Sequence, residues 1–200
     1  MNRAHLAAVT LLLANGCGGS TSTPTADAPP GDVTTVSITT SKGAIVVDVH
    51  HSWAPIGAAR FDELVAAGFY TDARFFRVIS GFVAQFGING TPATNAMWDE
   101  KAITDDPVGQ SNTRGYLSFA QTSAPNSRTT QLFINTVDNS FLDAMGFAPF
   151  AVVTSGMDVV DKLDAEYGES PDQAAITSQG NPYLEANFPN LDYVVSTVVQ

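Results

Sequence analysis

Phe75 to Gly87 reads FFRVISGFVAQFG: two aromatic residues, an arginine, two aliphatic residues, a Ser-Gly turn, a third aromatic, and one glutamine among apolar neighbours. Aromatic and β-branched residues on either side of Ser80-Gly81 predict two short strands, Arg74–Ile79 and Gly81–Phe86. A strand pair that only filled a core would need neither Arg77 nor Gln85. They are either solvated edges of a core element or the polar teeth of an apolar pocket. Alternation alone does not decide between these, because the Ser80-Gly81 turn resets the phase of the second strand.

Working outward, the chain is rich in strands. Val36, Ile38 and Thr40 alternate with polar neighbours, TSKG follows, and AIVVDV resumes, which predicts a hairpin. Pro55 opens a helix on which Ala58, Phe61, Leu64 and Val65 recur at helical spacing as far as Gly68. Tyr116–Ala120, Gln131–Asn135, Phe150–Val153 and the terminal LDYVVSTVV read as further strands, and GMDVVDKLDAEYG (156–168) reads as a second helix. Two helices among about eight strands do not alternate as β-α-β units. The expectation is a mainly β protein, an antiparallel sheet that curls and closes with a helix over each open end. Residues 88–115 lack periodicity and are expected to form a long surface excursion.

Composition narrows the function. A formal net charge of −11 with nine Lys and Arg argues against a nucleic-acid groove, which needs a dense basic surface. The segment MNRAHLAAVTLLLANGCGG carries a nine-residue apolar run, Leu6–Ala14, too short to span a bilayer as a helix and suited to a secretion signal. The sole cysteine, Cys17, follows it directly, so residues 1–16 resemble a bacterial lipoprotein signal with Cys17 as the lipidated first residue. An ordinary signal with an incidental cysteine is the alternative. One cysteine excludes an intrachain disulfide. Residues 17–32, rich in Gly, Ser, Thr and Pro, read as a flexible linker to a domain at 33–200. The placement implied is the bacterial cell envelope, periplasmic side or outer surface, with contact to membrane only through the N-terminal lipid.

Several segments, in one order, resemble the cyclophilins, which are peptidyl-prolyl cis-trans isomerases. FFRVISGFVAQFG resembles the family's Phe-His-Arg-Val-Ile-Pro-Gly-Phe-Met-x-Gln-Gly-Gly. GYLSFAQTSAPNSRTTQLFIN resembles its Gly-x-Leu-Ser-Met-Ala-Asn stretch and the Ser-Gln-Phe-Phe-Ile beyond. FLD and PFAVVTSGMDVVDKL resemble its Trp-Leu-Asp and Phe-Gly-x-Val-x-x-Gly-Met segments. GFAPF and GNPYLEANFPNLDYV look like a bacterial secreted subgroup. The similarity covers about residues 34–199 and implies a closed eight-stranded antiparallel barrel capped by two helices.

It also implies roles. Arg77 matches the catalytic arginine, and Gln85 the glutamine that organises it. Phe82, Val83, Phe133, Leu142 and Phe147 match the proline pocket; Val83 stands where methionine is usual, and Phe147 is the nearest counterpart of a pocket histidine. Ala120, Gln121, Gln131 and Phe141 match the peptide-binding rim, Gln121 replacing asparagine and Phe141 replacing tryptophan. The implied partners are proline-containing peptides and partly folded exported proteins, bound by a monomer, with no cofactor and no metal. Taken singly, Arg77 would be a surface residue, and Phe82 and Phe133 core residues. His50 and His51 are poor co-ligands because adjacent strand residues point to opposite faces. Asp99, Glu100, Asp105 and Asp106 match no calcium loop and read as solvated. Asn89-Gly90-Thr91 is a glycosylation sequon of little meaning in a bacterium.

Two other readings compete. A non-catalytic peptide-binding or chaperone module would explain the altered rim. An envelope structural protein would pair Arg77 with a carboxylate and leave no accessible pocket. From Phe141 we expect the family's cyclic-peptide inhibitor to bind weakly; calorimetric titration should show this, and nanomolar affinity would overturn it.

Overall fold

The computed structural model describes residues 32–200. The signal-like segment, Cys17 and the linker as far as Gly31 lie outside the described residues. The first hairpin is formed as expected: β1 (Val33–Thr40) pairs antiparallel with β2 (Gly43–His50) through a turn at Ser41-Lys42. Val36 and Ile38 on β1 and Ile45, Val47 and Val49 on β2 are buried, so one face of the hairpin is core. Helix α1 (Pro55–Ala66) starts at a proline and buries Ala58, Phe61, Leu64 and Val65. Ala54 offers no side-chain cap there. The Asp106 carboxylate does so instead, accepting from the N–H groups of Ile56 (3.2 Å) and Gly57 (2.8 Å). Asp106 thus has a structural task rather than being simply solvated.

The remaining strands are β3 (Arg77–Val78), β4 (Val83–Phe86), β5 (Tyr116–Phe119), β6 (Leu132–Asn135), β7 (Pro149–Ser155) and β8 (Val194–Val199). They form one eight-stranded antiparallel sheet in the order β3-β4-β6-β5-β7-β2-β1-β8. Register shifts at Thr39/Thr40, Val46/Val47 and Leu117/Ser118 bend the strands and curl the sheet. The expected closed barrel is not what forms: the sheet is an open half-barrel. Its two edges come together at the Arg74–Tyr193 bridge, where Asp72 and Phe75 donate to Val194 and Asp192 and Val194 donates to Ala73. Beyond Phe75 the chain leaves β8. The outer edge of β3 is taken by Gly168, whose carbonyl accepts from Val78 N–H at 3.2 Å, so no ladder closes between β3 and β8.

The helices also depart from expectation. The segment 156–168 is helical only over α3 (Met157–Val160), not throughout. The Asp192 carboxylate takes the N–H of Asp164 at 2.7 Å, and Asp164 takes that of Glu166 at 2.7 Å, diverting donors a longer helix would need. Three further α-helices appear: α2 (Pro92–Ala96), α4 (Gln173–Gln179) and α5 (Asn181–Asn187), besides a 3₁₀ turn at Ser140–Met145. The excursion 88–115 is anchored by Ile88, Asn89, Asn95 and Asn112, all buried, and by a bridge from Ile103 to Arg128.

The main core lies in the concavity of the sheet, where Phe61, Tyr70, Phe75, Phe86, Phe119 and Phe150 meet around the aliphatic residues of β1, β2, β5 and β6. A second, smaller core joins Phe76 and Ile88 to Ile176 of α4, Leu184 of α5 and Leu191. Phe86 is fully buried against Tyr70 and Phe75. Phe86→Ala should cost roughly 3–5 kcal/mol of stability, read from the midpoint of urea unfolding.

Candidate active site

Strands β4 and β6 are buried along their whole length, without the usual alternation of buried and exposed residues. The reason is that both faces are covered. Val78, Ala84, Phe86, Leu132 and Ile134 point into the main core. Arg77, Val83, Gln85 and Phe133 line a cleft on the opposite side, with a volume of about 330 Å³. The register places Arg77 opposite Gln85, and Gln85 opposite Phe133. Arg77 and Gln85 are therefore placed in the cleft, on the face shared with Phe133.

Arg77 is held on several sides. Its Nη1 donates to Gln85 Oε1 at 3.3 Å, and its guanidinium lies 5.6 Å from the centre of the Phe82 ring. Gln85 Nε2 in turn donates to Gln131 Oε1 at 3.0 Å. The approach of Gln131 depends on Gly87, at φ +106°, where a Cβ would meet Thr130 O at 2.5 Å. Arg77 is also paired with Glu169, whose Oε2 accepts from Nε and Nη2 at 3.2 Å each. Arg77 is the only charged side chain lining the cleft among the described residues.

Val83, Phe133 and Leu142 form a buried apolar cluster, with Phe82, Ala120 and Phe147 against it. Phe147 stands edge-on to Phe133 at 5.5 Å, which makes it a wall of the pocket. Phe141 does not line the cleft itself. It is largely exposed on the rim and stacks on Phe82 at 6.1 Å. Gln121 lines the cleft and donates to Met145 O at 3.2 Å. Thr122, Ser127, Thr129 and Gln173 also line it, and they, like Glu169, carried no sequence signal. Glu169 and Gln173 stand more than ninety positions from Arg77, and only tertiary packing brings them together.

Behind the apolar wall lies a buried polar network. Asn112 donates to Phe147 O and to Asp143 Oδ1, both at 2.8 Å, and accepts from Ser118 Oγ at 2.8 Å. Asn139 donates to Asn135 Oδ1 and to Phe82 O, both at 2.9 Å. Asn135 reaches Asn112 at 3.3 Å and closes the chain of contacts. The backbones of Phe82 and Phe147, on opposite sides of the slot, are thus tied to one set of side chains.

The other polar candidates have local partners. His50 stacks on Trp53 at 3.7 Å, and His51 contacts Thr34 and Asp62. Asp105 pairs with Arg128, which also donates to Gly146 O at 2.6 Å. Asn89 of the sequon is buried, its amide donating to Phe69 O at 2.6 Å.

The fold is thus an open half-barrel with an apolar slot beside a fixed guanidinium. Comparison with known proteins gives the family. The profile of "Cyclophilin type peptidyl-prolyl cis-trans isomerase/CLD" matches residues 35–180. A peptidyl-prolyl cis-trans isomerase of Acinetobacter baylyi is 40% identical over 134 residues, 65% of this chain and 71% of that one. Peptidyl-prolyl cis-trans isomerase B of Escherichia coli is 38% identical over 170 residues, 82% of this chain and 97% of that one. The crystal structure of cyclophilin AquaCyp293 from Hirschia baltica superposes with a TM-score of 0.62 at 21% identity, over 85% of this chain and 74% of that one, and so shares the fold. The chain belongs to the cyclophilin-type peptidyl-prolyl cis-trans isomerase family.

The pocket wall should weaken in acid. Desolvation would raise the Asp143 carboxyl, but hydrogen bonds from Ser111 Oγ and from the side chain and backbone of Asn112 outweigh it and hold the group below its usual value. A carboxylate depressed by folding stabilises fully above the unfolded value near 3.9 and loses that contribution as pH falls through the folded value. The stability advantage of the parent over Asp143→Asn should be full at neutral pH and shrink below about pH 4. Urea unfolding across that range reads it, and a gap independent of pH would contradict it.

Proposed function

We propose that the chain isomerises X-Pro bonds of exported proteins by non-covalent stabilisation of the twisted amide. Resonance gives the amide C–N bond a rotational barrier of roughly 18–20 kcal/mol, so the uncatalysed step takes tens to hundreds of seconds. At the half-rotated state that resonance is lost and the prolyl nitrogen gains lone-pair density. A donor fixed beside that nitrogen binds the twisted state better than either planar state, and such differential binding is catalysis.

The single observation that carries this reading is Arg77, the one cationic group lining the cleft among the described residues, held beside an apolar slot. Val83, Phe133, Leu142 and Phe147 take the pyrrolidine ring. The apolar walls lower the local dielectric and strengthen the guanidinium's effect. Gln85 and Gln131 align Arg77 without adding charge, and Gln121 with the Ala120 backbone offers groups to an extended peptide. No nucleophile or proton transfer enters the step. The pairing of Arg77 with a carboxylate fits one half of the structural-protein reading, but the open cleft argues against the other half.

The signal-like residues 1–16 and Cys17 support clients that are exported chains, met at the cell envelope by a lipid-anchored monomer. Exchange NMR on a proline peptide tests the activity. The parent should accelerate cis-trans exchange, and a folded Arg77→Ala should lose about 10²–10³ in kcat/KM. A folded parent that binds the peptide without accelerating exchange would replace the enzyme with a binding module.

A further inference from the structure

Arg77 has five N–H donors. Three have partners: Nη1 meets Gln85, while Nε and Nη2 both meet Glu169 Oε2. One hydrogen on each terminal nitrogen is left for a peptide. The edge of the guanidinium away from Gln85 is thus held by a residue outside the strands that form the slot.

Glu169 is largely exposed, and an isolated exposed ion pair would do little. Its loop, however, is pinned. Gly168 O accepts from Val78 N–H, the residue after Arg77, at 3.2 Å, and Ser170 N–H donates to Tyr167 O at 2.9 Å. The Tyr167 ring stands edge-on to Phe188 at 5.2 Å. On the far side of Glu169, Asp172 caps α4 through Ala175 N–H and donates its own N–H to the Tyr183 hydroxyl at 3.2 Å. Phe76, the residue before Arg77, is buried in the core that α4 and α5 build. The backbone on both sides of Arg77 is therefore fastened to the unit that carries Glu169.

Resting on the isomerase reading above, we propose that Glu169 is a positioning residue for the reaction, and that the 164–191 segment with α4 and α5 serves to deliver it to Arg77. An arginine loses rotamer freedom when it must aim at one atom. A guanidinium already held at both edges meets the twisted amide with less reorganisation. The tether then acts on the transition state more than on peptide binding, and it weakens as salt screens the exposed pair.

The test uses the full chain with Glu169→Ala and Glu169→Gln, and Glu169→Asp as the conservative variant. Exchange NMR gives kcat and KM, and the Arg77 Nε–Hε cross-peak reports the tether without reference to activity. The expected result is kcat lowered about threefold to fivefold in the Ala and Gln variants, with KM and melting temperature little changed and partial recovery in the Asp variant. The Arg77 Hε signal should exchange faster with water in the Ala variant. Salt raised to about 1 M should bring the parent down toward the variants while leaving the variants flat. An active parent whose Ala variant keeps its kcat, or gains activity because the carboxylate competes with the peptide for Arg77, overturns the tether alone. An inactive folded parent overturns the isomerase reading and with it the catalytic sense of the tether.

Discussion

The register that sets Arg77 against Gln85, and Gln85 against Phe133, is the constraint on which the site rests. A shift of one residue in either pairing would send Arg77 or Phe133 into the main core and bring Val78, Ala84 or Ile134 out to the cleft. That is costly in both directions, because a guanidinium would be buried unpaired while core apolar side chains met water. The fully buried strands follow from the same fact. They separate a closed core from an open slot, and each face needs its own set of apolar residues.

The slot walls are apolar, and among the described residues Arg77 is the one cation beside them, partly exposed and paired with Glu169. Arg77 is not simply an exposed charge beside a hydrophobic patch. Gln85, Phe82 and Glu169 leave it little freedom, and Gln131 fixes Gln85 in turn. Behind the apolar wall, the asparagines at 112, 135 and 139 tie the carbonyls of Phe82 and Phe147 together. The geometry of the slot thus depends on polar contacts on both sides of an apolar layer.

Much was legible along the chain. The first hairpin follows from alternation around a Gly-containing turn, and α1 follows from Pro55, helical spacing and Gly68. The pocket residues fall in three short segments whose order identifies the family, and the structure gathers nearly all of them into one cleft. Other features were not legible. The long helix expected at 156–168 gives way because the carboxylates of Asp164 and Asp192 take backbone donors, and Asp192 approaches from a distant segment. The barrel stays open because Gly168 occupies the edge of β3. α4 and α5 show only short apolar spacings, made meaningful by Phe76 and Ile88 from elsewhere in the chain.

By itself, then, the sequence determined the mainly β character, the family and the chemical identity of the slot, because these depend on local periodicity and on residue types in a fixed order. Tertiary structure decided which face of each strand the site occupies, where the sheet ends, and which carboxylate meets the arginine. Those outcomes depend on contacts between residues far apart in the chain. The Arg77–Glu169 pair spans ninety-two positions, and no local pattern encodes it.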